Sequence, residues 1–99
     1  MQIRTGSISF GPQRGTGPRS NFTDVTFPSN VARATAILTG FTAEFSHGDD
    51  HNLGSLDVRL NSSVSGSTVR VTATYGLRDW SGNWDDDYDG QVFFAVIAE

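Results

Sequence analysis

Residues 79–90 read DWSGNWDDDYDG and place two tryptophans, a tyrosine and five aspartates within twelve positions. Such residues can do two kinds of chemistry. Asp85, Asp87 and Asp89 before Gly90 spell D-x-D-x-D-G, the opening of an EF-hand loop, where alternate carboxylates converge on a calcium ion. The position that should carry the closing bidentate glutamate is Val96, and residues 91–98 are needed as a strand. An EF-hand is therefore excluded. A non-helical calcium site and a merely solvated connection both stay open. Trp80 and Trp84 point to the second chemistry, in which ring faces take the C–H side of a sugar while Arg78 and Asp79 reach its hydroxyls. The same rings could equally pack back over the end of a sandwich.

HGDDHN, residues 47–52, is the other polar cluster. His47 and His51 with Asp49 and Asp50 could hold a divalent ion, but on a strand residues four apart stand about 13 Å from each other. Only a tight turn brings them together, and Gly-Asp and Asp-His-Asn are ordinary turn residues. As a turn, the stretch offers Asp50 to the edge of a ligand site. Asp57 and Arg59 follow on one face of the next strand, a carboxylate and a planar fork of donors. The expectation is no metal and no cofactor. Catalysis is not expected either: no G-x-S-x-G elbow appears, the serines lie in strand edges and turns, and a small sandwich has little concavity. Asn21-Phe-Thr and Asn61-Ser-Ser match glycosylation sequons, which need a secretory context to mean anything.

Hydrophobic residues recur with a period of two nearly throughout, so strands must position these groups. Ile8 and Phe10 alternate with serines; Thr23, Val25 and Phe27 share a face that Pro28 closes. Residues 34–45, ATAILTGFTAEF, form the longest strand, with Thr35, Ile37, Thr39, Phe41, Ala43 and Phe45 on one side. Leu56, Val58 and Leu60 mark a fourth strand, TVRVTATY at 68–75 a fifth and QVFFAVIA at 91–98 a sixth. GPQRGTGPRS at 11–20, without an apolar residue, reads as a loop. The expected fold is all-β: a six-stranded antiparallel β-sandwich, one domain over residues 1–99. If the chain runs up and down, HGDDHN and the Trp/Asp stretch emerge at the same end. The sixth strand is apolar on both faces, so one face should meet a copy of the chain.

Net charge is −4, so a nucleic-acid partner is not expected, nor is an anionic membrane surface. There is no lysine and no cysteine, so neither a disulfide nor a thiolate site exists. No apolar run approaches the length of a membrane span, and no signal-peptide pattern opens the sequence. A soluble protein without membrane insertion is expected, in an unknown compartment.

Several stretches resemble the H-type lectin domain, the family of the snail agglutinins and the C-terminal domain of discoidins. They are Arg4–Phe10 (RTGSISF), Val25–Pro28 (VTFP), Ala36–Phe41 (AILTGF), Val64–Gly66 (VSG) and the closing Tyr88–Ala98. The resemblance implies a six-stranded sandwich assembling as a homotrimer. It also implies binding of galactose- or N-acetylgalactosamine-type glycans at the rim between neighbouring chains, as in cell adhesion. The family's stacking aromatic, in a Thr-Trp pair, corresponds to Tyr75 in Thr74-Tyr75. No arginine matches the family's fourth-strand sugar contact, near Leu56 and Asp57; Arg59 stands two residues along. A structural module of a fibre or larger assembly, with no sugar site, is the rival reading.

Overall fold

The computed structural model describes residues 1–13, 17–46 and 52–99. The fold is all-β, with six antiparallel strands in two sheets that pack as a sandwich. In chain order they are β1 (Gln2–Gln13), β2 (Arg19–Thr26), β3 (Ala34–Phe45), β4 (Leu53–Ser65), β5 (Thr68–Asp79) and β6 (Tyr88–Ala98). One sheet has the order β1-β6-β3 and the other β2-β5-β4. Among the described residues no helix is long and apolar enough to cross a membrane.

The two central strands supply most of the core. Val69, Val71, Ala73, Tyr75 and Leu77 face inward from β5 and meet Tyr88, Val92, Phe94, Val96 and Ala98 from β6. Ile8, Phe10 and Phe27 complete it. Alternation explains why these residues form strands: each second side chain enters the core and the next faces outward. On β6 the even-numbered residues fill the core. Phe93, Ala95 and Ile97 form the outer face, half-buried by their neighbours.

The strands are longer than the sequence suggests. Gly11, Pro12 and Gln13 continue β1 instead of opening a loop, with a register shift between Phe10 and Gln13. Pro12 is tolerated because β1 is an edge strand, where a missing N–H breaks no ladder bond. Arg19 holds this segment down: its guanidinium donates to the carbonyls of Gly11 (2.7 Å) and Tyr88 (2.7 Å) and stacks 4.4 Å from the Tyr88 ring. Likewise β4 runs through the serine-rich stretch to Ser65, and Gly66, at φ 62°, makes the tight turn into β5.

The single-face reading of 34–45 does not hold. A shift between Leu38 and Gly40 leaves Thr39 as an extra residue, a β-bulge. Beyond it the parity reverses. Phe41, Ala43 and Phe45 pair with Val92, Gly90 and Tyr88 and share their side of the sheet, while Thr35 and Ile37 face out opposite Ile97 and Ala95. On this edge strand only Phe45 of the three packs on the core, and Phe41 stays exposed. A period of two read from sequence cannot show a bulge, because the inserted residue changes no residue type.

Candidate functional site

Three connections meet at one end of the sandwich. The Ser46 amide donates to the Asp87 carbonyl (2.9 Å) and the Trp80 amide to the Asn52 carbonyl (3.0 Å), which joins the β3–β4 and β5–β6 connections. The Tyr88 hydroxyl donates to the Gly17 carbonyl (3.2 Å), which adds the β1–β2 connection. The shared end expected for HGDDHN and the Trp/Asp stretch is therefore present at Ser46 and Asn52. Residues 47–51, Asp50 among them, lie outside the described residues.

The two tryptophans differ. Trp80 is 73 % exposed, yet its backbone is pinned between the Asn52 bond and the turn that follows. Asp79 fixes that turn. Its carboxylate is buried and accepts bonds from the Ser81 amide (3.0 Å) and hydroxyl (2.5 Å). Asp79 thus caps the turn of its own loop. Trp84 is half-buried and packs against the core, its ring 6.1 Å from Tyr88 and 5.7 Å from the Arg78 guanidinium. It lies over Gly76, where any side chain would collide with the Trp84 ring and with Pro18.

Gly76 faces outward from β5, so Trp84 covers the loop end of the outer face of the β2-β5-β4 sheet. Asp57 pairs with Gly76 across β4, Ser55 with Arg78 and Arg59 with Thr74. Arg59 grips Asp57 through two bonds of 2.9 Å each. The fold thus brings Arg78, Trp84, Asp57 and Arg59 onto adjacent rows of one face, with Trp80 at its tip.

Tyr75 is not in this group. Its parity turns it inward, and it is fully buried between Phe10 and Tyr88, both at edge-on geometry (5.4 and 5.3 Å). Its hydroxyl donates to the Asp89 carbonyl (2.7 Å), and burial pushes its pKa up to about 12. Gly90 permits this packing, since a side chain there would strike the Thr42 carbonyl and the Tyr75 ring. A buried ring offers no stacking face to a ligand.

The aspartates of the loop do not converge as the alternating motif would have them. Asp79, Asp85 and Asp86 each bring one carboxylate oxygen within 4.8 Å of the others. Asp89 belongs to β6, where it accepts a bond from the Ser46 hydroxyl (2.7 Å) and lies opposite Glu44 in the β3–β6 register. The cluster of Asp79, Asp85 and Asp86 is thus a different set from the alternating aspartates of D-x-D-x-D-G.

The Glu44–Asp89 pair is invisible in sequence because only the register sets the two side by side. Asp89 accepts a hydrogen bond from protonated Glu44 and repels its ionised form, raising the Glu44 pKa above the ordinary 4.5. The folded state therefore binds this proton more tightly than the unfolded chain. That stabilisation is present below 4.5 and is lost as pH rises through the raised value. Glu44→Gln should accordingly raise the melting temperature more at pH 7 than at pH 4. An equal shift at both pH values would show that the pair carries no electrostatic strain. No family model, curated protein or solved structure matches the chain.

Proposed function

We propose that this chain is a non-enzymatic glycan-binding module that works as a homo-oligomer, with its primary sugar site at the loop end of the β2-β5-β4 face. The observation that carries the reading is Trp80, a large exposed ring on a backbone held at both sides. An exposed tryptophan on a fixed backbone offers a stacking face with little ordering cost. Beside it, Trp84 supplies apolar body, and Arg78, Arg59 and Asp57 supply directional donors and acceptors. The resemblance to H-type lectins favours galactose or N-acetylgalactosamine and a trimer.

Assembly is favoured by the opposite sheet. Its outer face carries Ile3 (56 % exposed) and Ile37 (45 % exposed) around half-buried Phe93, Ala95 and Ile97. So much apolar surface on a small domain calls for a cover, and a second copy supplies one by symmetry. Several weak sites on one oligomer then gain avidity. The same apolar face favours the rival reading, a structural module without a sugar site. A glycan array probed with the assembled protein separates the two. Clustered hits on galactose-type glycans are expected, and a blank array from a protein of verified oligomeric mass would reject the lectin reading.

A further inference from the structure

Between its loop end and the β4–β5 turn the β2-β5-β4 outer face is polar apart from Phe22. Away from the loop end, successive rows set Ser20, Thr74 and Arg59, then Phe22, Thr72 and Asn61, then Asp24, Arg70 and Ser63, then Thr26, Thr68 and Ser65. The last two rows enclose a groove of about 410 Å³ lined by Asp24, Ser63, Ser65, Thr68 and Arg70. It starts six residues along β5 from Gly76, roughly 20 Å from the tryptophan end.

The Arg70 guanidinium in this groove is held by two groups, the Asp24 carboxylate and the Phe22 ring. Its Nε and Nη2 donate to the two Asp24 carboxylate oxygens (2.9 and 3.3 Å), and its plane lies 3.9 Å from the centre of the exposed Phe22 ring. Hydrogen bonds from the Arg70 guanidinium, aided by its charge, hold the Asp24 carboxyl below its ordinary pKa. A fork fixed in this way gives up little rotamer freedom when it binds a ligand. Its Nη1 donors and the outer lone pairs of Asp24 stand beside three hydroxyls that both donate and accept. Alternating donors and acceptors on a shallow surface match a polyol, in which each hydroxyl gives one bond and takes another. An anionic ligand fits less well, because Asp24 already neutralises Arg70 and the chain carries net charge −4.

We propose that the Asp24–Arg70 groove is a second carbohydrate subsite for neutral, hydroxyl-rich sugar, so that one chain engages a linear glycan at two points on a single face. The proposal rests on the glycan-binding reading, but it uses residues separate from the tryptophan end. A vicinal diol bridges Nη1 of Arg70 and the Asp24 carboxylate, and the Ser63, Ser65 and Thr68 hydroxyls take the next oxygens.

Amide chemical-shift mapping of the intact protein tests it, with free galactose, mannose and glucuronate as probes. The neutral sugars should shift the Ser63, Thr68 and Arg70 amides, and these shifts should survive Trp80→Ala. Arg70→Lys keeps the charge but loses the fork, and should weaken binding in the groove by about tenfold while loop-end shifts persist. If Arg70→Lys fails to fold, Ser63→Tyr fills the groove from an exposed position and should remove the same shifts. Shifts confined to the loop end would overturn the subsite and leave the primary reading standing. A response to glucuronate alone would overturn the neutral-sugar assignment. Silence throughout would reject both readings.

Discussion

Trp80→Ala should abolish glycan binding and leave the melting temperature within a few degrees of wild type, whereas Trp84→Ala should lower it by about 10 °C. Trp80 is 73 % exposed and stands outside the core cluster, so its loss removes an exposed surface and little packing. Trp84 is half-buried against Tyr88 and over Gly76. Truncating a fully buried tryptophan costs about 3–5 kcal/mol, and a half-buried one nearer 2. For a domain of this size 2 kcal/mol corresponds to roughly 10 °C. Thermal melts with a glycan titration check both variants. If Trp80→Ala binds as wild type does, the primary site lies elsewhere. If it unfolds, the ring is a cap like its neighbour.

Phe94→Asp should leave no folded protein, while Phe93→Asp should fold and dissociate. Phe94 is 1 % exposed in the centre of the core, and a carboxylate there has no partner. Burying an unpaired charge costs several kcal/mol, comparable to the total stability of a domain of this size. Phe93, one residue away, faces outward opposite Ser7 and Gly40. A charge there meets water in a monomer and an apolar surface in an oligomer. Sedimentation of the wild type should report a trimer, and Phe93→Asp a monomer with a near-native melt. A monomeric wild type at micromolar concentration would remove the assembly half of the proposed function.

Much of the architecture is legible in the sequence because period-two patterning is a direct imprint of alternating burial. The β5 core follows from TVRVTATY residue for residue, whereas QVFFAVIA, apolar on both faces, does not show which set enters the core. Strand ends are less legible. Gly11–Gln13 carry no apolar residue, and their pairing depends on Arg19, which is distant in pattern though near in sequence. The Thr39 bulge leaves no mark in residue type, so the two halves of β3 seem to share a face when they do not. The site was half legible. Aromatic and acidic density marks the Trp/Asp stretch, but nothing in its composition tells exposed Trp80 from packed Trp84. That difference comes from Gly76, whose missing side chain admits one ring onto the sheet. Alternation along β5 also sends Tyr75 inward with Val71 and Ala73, although the resemblance to lectins assigns it a ligand role. The Asp24–Arg70 pair, 46 residues apart in the chain, becomes visible only through the β2–β5 register.

The pairing of Gln2 with Ala98 has a mechanical consequence. All six strands run along the 47 Å axis of an 18 × 18 Å cross-section, and β1 and β6 are antiparallel. A force applied at residues 2 and 98 therefore pulls on two neighbouring strand ends at the same tip. It loads the β1–β6 ladder one hydrogen bond at a time, as a zipper opens. Tension applied between Ala98 and the Trp80 end runs along the strands instead and loads whole ladders together in shear. The same molecule should thus part at low force when pulled by residues 2 and 98 and hold at much higher force when pulled between residue 98 and its binding end. Under tension between a tether at residue 98 and a bound glycan, the strong axis is the one that carries the load.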